Sequence, residues 1–252
     1  MSVMIAGTRT PTVEYIGTCD DILTTLCKGY EEPDISHNTG QMLRSVMHGH
    51  HTWSAPSLSS CCRECIVYES LAKIVLMSES FPDFFKYVQL AQFDIAADAF
   101  STLKDLLTRH KAVASQHLLT NYEAFFSQYN KLLVSDNLVT KLSSLKLLNE
   151  LLHDRTNLQV MKRFINSEDN LKLIMRLMLD SHKGVQLMSF NVFQIFVANP
   201  NKSEPVQNIL VNNRTLLVKY LENLTAKNND ERFASDKISV MKKLKELPTI
   251  EE

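Results

Sequence analysis

The chain has 252 residues, 44% of them hydrophobic and 22% charged, a balance that suits a continuous core and excludes a disordered chain. Its 27 basic and 28 acidic residues leave a formal charge of -1, which gives no footing for nucleic acid or an anionic membrane as the main partner. Only six glycines and seven prolines leave few places for hairpins or nucleotide loops, so the expected fold is all-helical.

In chain order, a first helix is expected over Thr12 to Tyr30, with Ile16, Ile22, Leu23 and Leu26 on its apolar side and Gly29 near its stop. A second begins after Pro33 and runs toward Arg44. The block Ser45–Arg63 is rich in Ser, His, Gly and Pro and has no helical period. Helix resumes at Glu64 and runs toward Glu79. From Phe81 the pattern is dense and predicts helices near 81–89, 94–110, 115–133, 136–153, 156–165, 168–180, 184–198, 203–223 and 231–246. Ser167, Asp136 and Ser203 are candidate N-caps. Asn199-Pro200 is a stop, because proline disfavours helix in the residue before it.

Three of these stretches align 45 residues apart. Starting at Phe100, Leu145 and Phe190, they superpose the columns Phe100/Leu145/Phe190, Leu103/Leu148/Phe193 and Leu107/Leu152/Val197. Within each copy the positions fall at i, i+3 and i+7, one face of a helix. A period in the forties belongs to armadillo and HEAT solenoids, whose units bury their apolar faces by stacking. One such domain is expected over residues 1–247, with residues 248–252 as a tail.

No apolar run reaches the roughly 18 residues needed to span a bilayer, and the first residues lack a signal-peptide pattern, so a cytoplasmic protein is expected. The five cysteines lie within the first 65 residues in no framework spacing, which argues for reduced thiols. His48, His50, His51, Cys61, Cys62 and Cys65 have zinc-ligand types but no known finger spacing, and read as a loop. Asn228-Asn-Asp-Glu231 lacks the glycine and alternating oxygens of a calcium loop. No Walker or dinucleotide loop is present, and His110, His117, His153 and His182 fall at helix ends or on polar faces, so neither an enzyme nor a cofactor is expected. Most methionines read as core. Met175 and Met178 are the expected exceptions, because flexible thioethers suit a peptide groove. Lys141, Lys146, Lys162, Arg163, Lys172 and Arg176 form a candidate basic ridge for an acidic partner surface.

Longer strings add a resemblance. Gly7-Thr-Arg-Thr-Pro-Thr-Val-Glu-Tyr-Ile16, Phe93-Asp-Ile-Ala-Ala-Asp-Ala-Phe100, Lys104-Asp-Leu-Leu-Thr-Arg-His-Lys111, Ser144-Leu-Lys-Leu147, Asn170-Leu-Lys-Leu173 and Val197-Ala-Asn-Pro-Asn-Lys202 resemble the calcium-binding protein 39 family, also described as mouse-protein-25-like. The resemblance implies a right-handed horseshoe of helical repeats without enzymatic activity. It also implies a kinase scaffold whose concave face grips a kinase or pseudokinase in its active-like state and whose C-terminal pocket takes a Trp-Glu-Phe tail. The implied partners are STRAD-like pseudokinases, LKB-like kinases and germinal-centre-type kinases. A scaffold that contacts the active state better than the open one acts by population shift.

Carried over by position, Met175 matches the tail pocket, with Lys172 one turn earlier, and Phe93, Lys146 and Arg155 match kinase-facing positions. Leu142 stands where the family often has Arg, and Asn212 where a Lys helps to hold the tail. Each lost cation is expected to weaken a charge-assisted grip by about 1–3 kcal/mol. The resemblance implies further repeats before Gly7, so an exposed apolar end and self-association are expected. It also implies a continuous helix where Ser45–Arg63 intervenes. Gly49 and Pro56 would cost that helix about 1 and 3 kcal/mol, and the block reads as a retained intron or faulty gene model. The alternative reading is a solenoid adaptor without kinase activation, or a non-functional truncated isoform.

Overall fold

The computed structural model describes residues 20–32, 34–36, 69–225 and 231–248. The start of the expected first helix, most of the second, the Ser45–Arg63 block with its His and Cys cluster, and residues 228–230 lie outside these. The regular elements among the described residues are all helices, with no strand, and fall into two compact units divided after Leu132.

The first unit contains α1 (Asp20–Lys28), α2 (Glu69–Met77), α3 (Phe84–Tyr87), α4 (Phe93–Thr108), α5 (Lys111–Thr120) and α6 (Tyr122–Leu133). A 3-10 turn, Gly29–Glu31, ends α1 and brings Tyr30 into the core. There its ring stacks on Tyr87 at 5.4 Å and meets the edge of Phe84 at 5.7 Å. Its hydroxyl donates to Asp98 Oδ2 at 2.9 Å and lies 2.8 Å from Thr102 Oγ1, both buried on α4. Cys27, one turn earlier, is a free buried thiol whose pKa is pushed up to about 12, first by burial and then by the charge of Asp83. His117 departs from its expected polar position. It is buried, edge-on to Phe81 at 4.8 Å, and burial holds its pKa below the ordinary histidine value.

The second unit contains α7 (Leu138–His153), α8 (Leu158–Ile165), α9 (Glu168–Met178), α10 (Lys183–Ala198), α11 (Glu204–Asn212), α12 (Arg214–Asn223) and α13 (Glu231–Lys245). α10 is its centre and packs against α9, α7 and α13. The repeat is visible in the helix boundaries: α4, α7 and α10 are each 16 residues long and start at positions 93, 138 and 183, 45 apart. Leu103, Leu148 and Phe193 are fully buried, and the column Ala99, Ser144 and Ser189 places a small buried residue at one position in all three helices.

Several expected boundaries are corrected. The 81–89 helix is a 3-10 turn, Phe81–Asp83, leading into α3, with Pro82 in the first turn where no amide donor is needed. The expected 115–133 and 203–223 helices are each broken by one asparagine. Asn121 Nδ2 donates to His117 O at 3.3 Å, and Asn213 Nδ2 donates to Ile209 O at 2.8 Å, each competing with the main-chain ladder. The N-cap of α7 is Asn137 rather than Asp136: its Oδ1 accepts from Val139 N and Thr140 N. Ser167 caps α9 as expected, accepting from Asn170 N. Ser203 holds the N-cap position of α11, but its hydroxyl donates to Asn166 O at 2.8 Å.

The Asn199-Pro-Asn-Lys202 string is a joint held by side chains. Asn199 Nδ2 donates to Asn166 Oδ1 and Asn201 O, and Lys202 Nζ donates to Val197 O and Asn199 O at the end of α10. A cation on the last carbonyls of a helix satisfies them and opposes the negative end of the dipole.

Lys141 on α7 and Asp180 before α10 make a 2.9 Å ion pair with side chains 17% and 15% exposed. The main-chain N–H of His182, and then Lys141, hold the Asp180 carboxyl below the usual carboxylate range. Lys141→Ala is expected to cost about 1–2 kcal/mol at pH 7. Because the folded pKa is depressed, the stabilisation is complete above the unfolded value of about 4 and is lost as pH falls through the folded one. Urea midpoints of wild type and variant are therefore expected to differ at pH 7 and to converge as pH falls below about 4. A gap that stays constant with pH would remove the carboxylate from the account.

Candidate functional site

Helix α9 carries two faces. Leu171, Ile174, Leu177 and Met178 point into the core. Lys172, Met175 and Leu179 follow at i, i+3 and i+7 on another face, where Met175 is half-buried and Leu179 is 70% exposed. Met178 is thus corrected from groove residue to core residue: one helical position separates it from Leu179, and the turn of the helix sends the two side chains to different sides.

Helix α12 adds to the exposed face. Tyr220 donates its hydroxyl to the main-chain oxygen of Met178, fixing α12 at the C-terminal end of α9, and burial raises its pKa, which keeps it protonated as a donor. One turn earlier on the same side of α12 is Leu216, 69% exposed. Met175 on α9 and Leu179 just past its end, with Leu216 and Tyr220 on α12, are apolar side chains left wholly or partly exposed where the Tyr220 bond ties these two helices. Asn212 is exposed at the last position of α11, four residues before Leu216. Lys172 is engaged with Glu168 at 2.8 Å, an i,i+4 pair that raises its pKa and that an acidic ligand has to displace. Met175, Lys172 and Asn212 were candidates from the sequence; Leu179, Leu216 and Tyr220 were not, because they carry no motif.

The remaining candidates are dispersed. Leu142 is half-buried against the start of α10: a Cβ on Gly184 would lie 3.3 Å from Leu142 Cδ2, so the missing side chain at Gly184 permits that approach. Lys146 is exposed on α7, on the side of Asn149 and His153, and Arg155 is exposed in the 3-10 turn after that helix. Phe93 is 62% exposed at the first position of α4 in the other unit. No helix among the described residues is long and apolar enough to cross a membrane.

Stacked helices on a 45-residue period define a helical-repeat protein of the armadillo class. Residues 3–248 match the family model described as Mo25-like, and the chain belongs to that family. It is 46% identical over 242 residues to "Calcium-binding protein 39-like" of Homo sapiens, covering 96% of this chain and 66% of that protein. It has the same identity and coverage with "MO25-like protein 2" of Caenorhabditis elegans. With "Mo25-like protein" of Schizosaccharomyces pombe it is 39% identical over 242 residues, or 96% of this chain and 68% of that one. The chain thus spans about two thirds of the length of the curated relatives it matches.

Proposed function

We propose that this chain is a non-enzymatic cytoplasmic scaffold that captures the aromatic C-terminal tail of a pseudokinase or kinase partner. The observation that carries the reading is the group Met175, Leu179, Leu216 and Tyr220 around the Tyr220–Met178 bond, two of them exposed and two half-buried, because large apolar side chains left accessible near one another mark a protein-binding surface. A tail ending in Trp-Glu-Phe supplies two aromatic rings for this group, and its acidic residue suits Lys172 once Glu168 is displaced. Lys146 and Arg155, both exposed in the second unit, are available to the folded domain of the same partner, and Phe93, exposed in the first unit, is a separate candidate contact. Leu142 acts indirectly, by packing the start of α10. Preferential contact with the active-like state of a kinase raises its turnover without any group of the scaffold reaching substrate.

The test is a titration with a fluorescent peptide ending in Trp-Glu-Phe. Wild type is expected to bind at micromolar strength, and Met175→Asp, which puts a carboxylate under the rings, to bind at least about tenfold more weakly. Leu216→Asp is expected to do the same, and an Ala-x-Ala peptide to bind neither. Full binding by both Asp variants would remove this group from the reading. Turnover of a partner kinase with and without the chain separates an activating scaffold from a passive adaptor.

A further inference from the structure

A cleft of about 690 Å³ opens in the first unit, between α1, α2 and the turn that follows α2. The two helices pack against each other, and none of the candidate partner-binding residues lines the space. Its volume falls within the range of about 300–1,000 Å³ typical of small-molecule sites.

Apolar surface comes from α2. Ile74 is half-buried and Met77, at the end of the helix, is 56% exposed. A flexible, polarisable thioether left open in this way suits an aromatic or alkyl body.

The charged groups divide into committed and free. Asp83 is committed, since its Oδ1 accepts from Lys86 Nζ at 2.7 Å. Lys28 on α1 and Lys73 on α2 line the cleft from its two walls, both exposed, and neither has an ion-pair partner among the described residues. Glu79, in the turn, is unpaired in the same sense. Two free cations against one free carboxylate leave a positive balance. Lys28 lies in the last turn of α1 and also answers the negative end of that helix. Lys73 precedes the last turn of α2 and has no such use. An anion that enters between the walls meets both.

Ser80 is an independent sign of a ligand. It holds the N-cap position of the 3-10 turn Phe81–Asp83, where a serine hydroxyl ordinarily accepts from a main-chain amide, yet it makes no cap bond. The residue is 3% exposed and lines the cleft. A buried hydroxyl without a partner is costly until one reaches it, and an anionic oxygen is the acceptor that rewards such a donor most.

We propose that this cleft binds a small amphipathic anion, a phosphate or carboxylate on an aromatic or alkyl body. The anion lies between Lys28 and Lys73 and accepts from the Ser80 hydroxyl, and the body rests on Ile74 and Met77. The site is separate from the tail site and does not depend on the tail reading.

The probe is 1-naphthyl phosphate, titrated against the full chain by isothermal calorimetry. It is expected to bind at least about tenfold more tightly than 1-naphthylmethylammonium, which has the same body and the opposite charge, and than inorganic phosphate, which has the charge alone. Lys73→Glu, at an exposed position, is expected to invert the preference toward the ammonium, a change that loss of folding cannot mimic. Ser80→Ala is expected to weaken the naphthyl phosphate by about three- to tenfold and to leave the ammonium unchanged. Binding of the Trp-Glu-Phe peptide by Lys73→Glu is expected to match wild type, so failure here leaves the tail site standing. No saturable binding up to millimolar probe, equal binding of the two naphthyl ions, or an unaltered preference in Lys73→Glu overturns the proposal. Lys73-dependent binding to vesicles of phosphatidylserine in phosphatidylcholine, without binding of the free probe, would assign the anion to a lipid surface and overturn it too.

Discussion

Replacing Phe190 by alanine is expected to destabilise the protein by about 3–5 kcal/mol and to lower its melting temperature by on the order of 10 °C. Phe190 is fully buried in α10, the helix that touches α7, α9 and α13, and its ring also meets Phe233. Truncation leaves a cavity among helices that are each anchored by other contacts, so the site cannot collapse to fill it. The same substitution at Phe100, its counterpart in the repeat column, removes a half-buried ring and is expected to cost less than half as much. Thermal denaturation of the two variants checks the pair. Equal losses would mean that the repeat column does not carry the difference in burial.

The repeat was legible because it is written in apolar spacing. The columns Leu103/Leu148/Phe193 and Leu107/Leu152/Val197 are buried as the period requires, and the helices carrying them recur at the expected interval. What was hidden depends on geometry finer than period. Asn121 and Asn213 each break a helix with one side-chain bond to a carbonyl four residues back, and an asparagine inside an apolar period looks like any solvated position. Met178 is buried and Leu179 exposed because one residue turns a helix by about 100°, while a sequence pattern places apolar residues only to within a neighbour. Leu216, one turn from Tyr220, is likewise exposed with no motif to mark it.

Tyr30→Ala is expected to cost about 4.5–8 kcal/mol, the largest single effect in the first unit, and comparison with Tyr30→Phe divides that loss between ring and hydroxyl. The ring is 1% exposed and bridges Phe84 and Tyr87. Its loss resembles other aromatic truncations, at about 3–5 kcal/mol. The hydroxyl serves a different need. It donates to Asp98 at 2.9 Å and lies 2.8 Å from Thr102, across 68 and 72 residues of chain, so it ties the turn after α1 to the middle of α4. Tyr30→Phe keeps the packing and withdraws one donor from a buried carboxylate, a loss of about 1.5–3 kcal/mol, since hydrogen bonds to charged groups exceed neutral ones. Removing the carboxylate as well, in Tyr30→Phe with Asp98→Leu, is expected to restore part of that loss, because a buried acceptor left without its donor costs more than an apolar pair of similar volume. Urea denaturation of the two single variants and the double variant measures the coupling, and hydrogen exchange along α4 locates it. A Tyr30→Phe chain as stable as wild type would show that Asp98 does not depend on this donor, and the loss in Tyr30→Ala would then belong to the ring alone.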